Sequence, residues 1–295
     1  MKKYVIVSLL LSFICTLTSC TTEPTRQQHV SAPMPSSTAT MEIAENSTFT
    51  VHYIDVGQAD ASLVLCDGEA MLIDGGNVAD SNLIAAYLNK LNITCIDYIV
   101  CTHAHEDHVG GLSGALSVAQ VKNVLAPKTE ASTKAYQNFK RKAEEQGLTI
   151  KHPLCGDTFN LGSSTAKILG PVSETDKKTN NTSIVLKITY GSTSFLFTGD
   201  AETEEEHELI DSGAALSADV LKVGHHGSDT STSYVWLREI MPKFAVISVG
   251  KNNYGQPSEA VLSRLNDAGA EILRTDMLGD IIIQSDGVNV SKRLY

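Results

Sequence analysis

Past its first twenty residues the chain has no long apolar run, which excludes a membrane channel built from spanning helices. Positive charge is scarce as well. The 295 residues carry 34 acidic against 23 basic side chains, and setting aside Lys2 and Lys3 leaves 34 against 21, a formal charge of −13. Proteins that grip nucleic acid by its phosphates carry a basic footprint, so tight non-specific DNA binding is disfavoured, though transient contacts are not. The basic cluster Lys134, Lys140, Arg141 and Lys142 falls in a predicted helix and reads as a solvated face. The six cysteines include no Cys-x-x-Cys pair, which argues against a zinc ribbon. Cys66, Cys95 and Cys101 lie in or beside apolar strand-like runs, where burial as small hydrophobes is expected, and no disulfide framework is expected. No short-period repeat is present.

The first twenty residues, MKKYVIVSLLLSFICTLTSC, combine a basic start with an apolar stretch from Tyr4 to Leu17 that is too short to span a bilayer comfortably. Leu17-Thr18-Ser19-Cys20 resembles a bacterial lipobox, which implies that Cys20 carries lipid and that the protein is extracytoplasmic, touching the membrane only through that anchor. Residues 21–47 are rich in Ser, Thr and Pro and cannot bury enough surface to offset chain entropy, so a flexible tether is expected. Residues 48–295 have the length of one large domain.

Within that domain, glycine punctuates short β runs: FTVHYIDVG, SLVLC and AMLIDGG. Ser81 to Leu91 shows helical spacing, and DYIVCT reads as a continuous apolar strand. Leu112–Ala119 reads as a helix, VKNVLAP as a strand, and 130–146 as a charged helix ending at Gly147. SIVLKITYG and TSFLFTGD form an expected hairpin across Gly191-Ser192. Helices over 202–211, 232–240 and 258–268 then alternate with strands ADVLKVG and FAVISVG, and strands run to Tyr295. Strands in both halves with helices between them predict two sheets face to face, covered by helices outside.

One stretch concentrates chemistry. CTHAHEDHVGG, Cys101 to Gly111, holds three of the chain's nine histidines. Alternate side chains of an extended segment point the same way, so His103 and His105 project together from the end of a strand. A turn after Glu106 brings Asp107 and His108 to the same point from the start of a helix. Imidazoles with a carboxylate suit a borderline-soft divalent ion, and four ligands exceed the three typical of one catalytic zinc, which points to two metals. Two ions about 3.5–4 Å apart can share a hydroxide available near neutral pH.

THAHEDHVGG is similar to the H-x-H-x-D-H signature of the metallo-β-lactamase superfamily. HYIDVGQADASLVL, MLIDGG, FLFTGD and LKVGHHGS, in that order, resemble the extracellular hydrolase domain of ComEC-type competence proteins over about residues 48–287. The resemblance implies an α/β fold, an αββα sandwich of two mixed sheets with helices outside and metals in a groove along one edge. It implies that His103 and His105 hold one metal, Asp107 and His108 the other, and that Asp200 bridges both. Asp74 would accept a hydrogen bond from a ligand histidine, and Asn181, Ser183 and Ser228 would stand beside the ligands or face substrate. Of the adjacent pair, His225 is taken as a metal ligand and His226 as general acid or phosphate contact, with Asp107 and His226 nearest the chemistry; the sequence barely separates the two rings.

Two departures stand out. Many members supply a third histidine to the first metal, but His152, the only histidine in that interval, has an unrelated context, and NNTS at 180–183 occupies the place. Gln256 in KNNYGQPS stands where the family usually has a histidine. His29, His52 and His207 are expected on the tether, a strand surface and a helix surface. Two divalent ions are implied, zinc first and manganese as the alternative. The implied substrate is a phosphodiester, including DNA held weakly, and no protein partner can be inferred. Other expectations are a hydrolase of phosphorylcholine esters, lactones or β-lactams, and a metal-binding lipoprotein with little turnover.

Overall fold

Period-two alternation decides what each strand covers. In the computed structural model, which describes residues 49–174 and 177–293, fifteen strands form two sheets among those residues. The expected leader with Cys20, the tether and His29 lie outside the described residues.

The first half supplies β1 (Phe49–Tyr53), β2 (Ser62–Cys66), β3 (Glu69–Ile73), β4 (Cys95–Val100), β5 (Gln120–Leu125) and β6 (Ile150–Lys151). The second supplies β7 (Thr158–Leu161), β8 (Ser164–Gly170), β9 (Val185–Tyr190), β10 (Thr193–Phe197), β11 (Val220–Lys222), β12 (Phe244–Ile247) and β13 (Glu271–Arg274). The chain then returns to the first sheet through β14 (Ile281–Ser285) and β15 (Val290–Arg293). The spatial orders are β15-β14-β1-β2-β3-β4-β5-β6 and β13-β12-β11-β10-β9-β8-β7. Both sheets are mixed: β3 to β6 and β10 to β13 run parallel, and the other pairings are antiparallel.

Phe49, Val51 and Tyr53 of β1 meet Phe195 and Phe197 of β10 in a core between the sheets. The rings of Phe49 and Phe195 stand 4.8 Å apart. Strand β12 shows the alternation most plainly. Phe244 and Val246 enter that middle core, whereas Ala245 and Ile247 face an outer core with Trp236, Leu237 and Leu265. A strand covered on both faces must be apolar throughout, which is why FAVIS reads as an unbroken run. Helices α1 (Ser81–Lys90), α2 (Glu106–Val109), α3 (Leu112–Val118) and α4 (Lys134–Glu145) belong to the first half. Ile84, Leu116 and Phe139 of this group pack with Leu63 and Ile99 in a third core. Helices α5 (Thr203–Asp211), α6 (Tyr234–Ile240), α7 (Glu259–Asp267) and α8 (Thr275–Leu278) belong to the second half, and the first three of these cover the second sheet. The four layers are helix, sheet, sheet, helix: the expected αββα sandwich.

Two expectations are corrected. His52 points away from the middle core, but α1 covers that face, so the ring is buried with Nδ1 2.9 Å from Tyr87 Oη. Cys95 is exposed because it opens β4 at the end where the chain enters the sheet. Cys66 and Cys101 are buried, Cys155 is exposed, and all four are free thiols. The basic residues of α4 are engaged at the surface, Lys140 with Glu130 and both Arg141 and Lys142 with Glu145.

Candidate metal centre

Strands β3, β4, β10 and β11 all end on one edge of the sandwich, and each releases a polar residue there. Ligand sites of open α/β sheets gather at such carboxyl ends. Beyond β4 the chain bends over His103–His105 and turns into α2 at Glu106, with His105 as the residue before the first turn. Asp107 and His108 therefore sit in the helix's first turn, facing back to His103 and His105. The glycines that follow have a steric reason. A Cβ on Gly111 would lie 1.8 Å from the Gly75 carbonyl oxygen, and one on Gly110 would lie 2.3 Å from the Val78 nitrogen. Backbone packs on backbone here: Gly75 N donates to His108 O at 2.8 Å and Gly111 N to Gly76 O at 3.0 Å. That contact fixes α2 on the turn carrying Asp74.

Asp200 arrives from β10 through Gly199, and its backbone N donates to Ser183 Oγ at 3.1 Å. The histidine pair follows β11 in an unusual turn. His225 (φ 48°) and His226 (φ 53°) are both left-handed, a conformation costing roughly 1–2 kcal/mol per non-glycine residue, and such strain clusters at functional sites.

Among the described residues three groups of side chains could hold a cation; one, Asp60, Asp74 and His108, lies behind the His108 ring, and the other two share one member. His103, His105 and Asp200 form the first; Asp107, His108, Asp200 and His226 form the second. In the first, His103 Nε2 is 3.1 Å from His105 Nδ1 and 3.7 Å from Asp200 Oδ2. In the second, His108 Nε2 is 3.2 Å from Asp200 Oδ1, and His226 Nε2 is 3.2 Å from Asp107 Oδ2 and 3.9 Å from Asp200 Oδ1. Asp200 thus turns one oxygen to each group.

These residues fit a pair of divalent cations. His108 Nε2 and Asp200 Oδ1 are fully buried without a hydrogen-bond partner among the described residues. Buried polar atoms rarely go unpaired, and two that face each other across a nitrogen–oxygen donor set mark a cation's place. The far side of each ring is held. His108 Nδ1 is 2.8 Å from Asp74 Oδ2, His226 Nδ1 is 3.0 Å from the Ser248 carbonyl, and His103 Nδ1 has Thr102 Oγ1 at 3.2 Å and Ser183 Oγ at 3.4 Å. Donation from Nδ1 of His108 and His226 leaves their Nε2 lone pairs facing inward.

The local field agrees. Burial alone would raise the Asp200 carboxyl, but His108, His226 and His103 hold it well below the usual range. Asp107 is likewise opposed by burial yet held down at about 2, chiefly by His108. Against the pull of burial, Asp200, Asp60 and Asp107 push His226 up to about 10. Carboxylates that stabilise a positive charge on the neighbouring imidazole this strongly would also favour a cation in place of its proton, with release of that proton.

Other expected positions are placed as follows. Asp74 Oδ1 accepts from Thr102 N at 2.8 Å and Oδ2 from Thr102 Oγ1 at 2.7 Å, as well as facing His108. Asn181 braces the Asp200 loop, accepting from Glu202 N at 2.8 Å and donating to Glu204. Ser228 bonds Thr230 instead of any donor of the two groups. The expectation for the histidine pair is corrected by geometry. His226, fully buried, lies in the second donor group, and His225 lies outside it, partly exposed, with Nδ1 3.1 Å from Thr230 Oγ1 and Nε2 3.9 Å from Asp200 Oδ2. The left-handed turn carries one ring inward and leaves the other at the opening. His152 is remote, its Nδ1 on the Ala126 and Pro127 carbonyls. Gln256 accepts from Gln58 at 2.6 Å.

Sequence reasoning missed Asp60 and Lys222. Lys222 Nζ pairs with Asp60 Oδ2 at 2.7 Å, both buried, and Asp60 Oδ1 is 3.5 Å from His226 Nδ1. One signal was available: a lone lysine inside the apolar strand VLKVG needs a buried partner.

A family model described as the metallo-beta-lactamase superfamily matches residues 54–251. The chain belongs to this superfamily. It is 32% identical over 250 residues to ComE operon protein 3 of Bacillus subtilis, covering 78% of this chain and 32% of that protein. It is also 32% identical over 230 residues to competence protein ComA of Neisseria gonorrhoeae, covering 76% of this chain and 30% of that one. The chain thus spans about a third of the length of these curated relatives. A solved metallo-beta-lactamase fold protein, YhfI of Bacillus subtilis, shares the fold with a TM-score of 0.54 at 12% identity, over 80% of this chain and all of that one. The superfamily fold and the two donor groups mark a metal-dependent hydrolase.

Proposed function

We propose that this superfamily member is an extracytoplasmic phosphodiesterase using two divalent ions, zinc as the first choice and manganese as the alternative. The observation that carries the reading is Asp200, one oxygen toward each donor group. When bound, such a pair of cations supplies Lewis acidity and a nucleophile from water at neutral pH. His103 and His105 would hold one ion and Asp107, His108 and His226 the other, with Asp200 common to both donor groups. His225 is the ring left facing the opening; with Nδ1 tied to Thr230, its Nε2 contacts the phosphate or hands a proton to the leaving oxygen. A phosphodiester suits two cations because its transition state spreads charge over oxygens that both can reach. DNA is one of the phosphodiesters to test. A formal charge of −13 on residues outside Lys2 and Lys3 argues for short or small phosphodiesters over long DNA. Anchoring through lipid at Cys20 belongs to the same proposal.

The test is hydrolysis of bis(p-nitrophenyl) phosphate, single-stranded DNA and a chromogenic cephalosporin by zinc- or manganese-loaded protein, with His108→Ala as control. Turnover of the phosphodiesters that His108→Ala abolishes is expected. Rapid cephalosporin turnover with both phosphodiesters intact would overturn the assignment.

A further inference from the structure

A cleft of about 590 Å³ runs from the metal centre to the loop after β12, walled by Asp107, Glu106, Asn77, Lys251, Asn253 and Tyr254. We propose that this cleft binds the nucleoside attached to the scissile phosphate, with Tyr254 stacking on its base. The inference rests on the phosphodiesterase reading, which supplies the phosphate joining this ligand to the centre.

Three observations support a nucleoside. The volume falls within the roughly 300–1,000 Å³ of small-ligand clefts, and Asp107 puts one end of it at the second donor group. Tyr254 is 80% exposed on a loop tied by several hydrogen bonds, so its position owes nothing to core burial. Asn252 ties the loop to itself: Oδ1 accepts from Tyr254 N and Gln256 N at 3.0 and 3.2 Å, and Nδ2 donates to Gly250 O and Gln256 O at 2.9 and 2.7 Å. Gln58 then clamps it to the β1–β2 connection, donating to Gln256 Oε1 and accepting from Gly250 N. A rigid backbone displaying a bare aromatic face is the form of a stacking platform.

The third observation is the chemistry around the ring. Among the described residues Lys251 is the only cation lining the cleft and forms no ion pair, and the Asn253 amide has no hydrogen-bond partner. A cation, a free amide and an aromatic face are what a phosphate, a base edge and a base plane require. Glu106, exposed on the same wall, disfavours a second phosphate beside it and offers an acceptor to a sugar hydroxyl or a base amine. A nucleoside carrying one phosphate matches that set better than a polyanion.

The test is calorimetric binding of thymidine 5′-monophosphate and ribose 5-phosphate to zinc-loaded full-length protein. The nucleotide should bind about tenfold tighter than the sugar phosphate, since stacking on one base is worth roughly a tenfold to hundredfold gain. Tyr254→Ala should erase that difference, and Tyr254→Phe should keep it within twofold. Equal binding of the two ligands by wild type, or a preference that survives Tyr254→Ala, would overturn the proposal. Because binding is read without turnover, an intact nucleotide preference beside an inert bis(p-nitrophenyl) phosphate assay would refute only the phosphodiesterase reading.

Discussion

Asp74→Asn separates the role of a hydrogen bond from that of a charge more cleanly than any other change at the centre. Asp74 sits at φ 57°, a conformation that Asn accepts readily, so the exchange adds no backbone strain. Its Oδ1 accepts from Thr102 N, which the Asn carbonyl can preserve. Its Oδ2 faces Thr102 Oγ1 at 2.7 Å and His108 Nδ1 at 2.8 Å, and in the variant that position becomes an NH2 group. The threonine hydroxyl can rotate to accept. His108 must instead move its proton to Nε2 to receive a hydrogen bond at Nδ1, which removes the lone pair facing Asp200 and Asp107. Loss of such a supporting carboxylate weakens metal binding by roughly 10–100-fold, or about 1.4–2.7 kcal/mol. The number of hydrogen bonds is kept, so the fold should lose no more than about 1 kcal/mol. Zinc titration against a chromophoric chelator should therefore show one site nearly unchanged and one weakened by that factor, with a melting temperature close to wild type. Two sites of wild-type affinity in Asp74→Asn would refute the argument that Asp74 fixes the His108 tautomer.

Three further outcomes follow from the same geometry. His226→Ala should lower zinc content from two ions toward one, whereas His225→Ala should keep both and lower kcat by about a hundredfold or more; elemental analysis beside turnover distinguishes them. Gly111→Ala should lower the melting temperature by roughly 10 °C, because the new methyl would overlap the Gly75 carbonyl and displace α2 at a cost of about 3 kcal/mol. Burial, opposed by a smaller pull from Asp280, holds the His52 ring at about 4 against 6.5 in the unfolded chain. The unfolded state therefore takes up that proton first, so stability is intact above pH 6.5 and falls by up to about 3 kcal/mol as pH drops toward 4. His52→Gln should flatten that part of a denaturant-midpoint profile.

The fold was legible because its strands are apolar enough to name themselves. FAVIS and DYIVC are covered on both faces, and their unbroken runs say so. The His103–His108 cluster was equally plain in its spacing, although the segment expected to be extended bends at His103–His105 before the helix starts at Glu106. What stayed hidden depends on contacts between distant segments. Asp60 and Lys222 meet across the two halves of the chain, and although a lysine in an apolar strand asks for a buried partner, nothing local says that the partner is Asp60. The inward ring of the His225–His226 pair is decided by two successive left-handed residues, which a sequence of adjacent histidines does not announce. His52 follows the outward phase of β1, and only the placement of α1 over that face buries it. The platform at Tyr254 is likewise a matter of how Asn252 and Gln58 knot their loop.

The central claim is that Asp200 serves two ions at once. Elemental analysis of wild type and Asp200→Ala after reconstitution with zinc, and separately with manganese, tests it most directly. Two ions per chain in wild type and a strong fall in occupancy at both positions in the variant are expected. A wild-type protein that holds no metal after either reconstitution, or an Asp200→Ala variant that still holds two, would contradict the account.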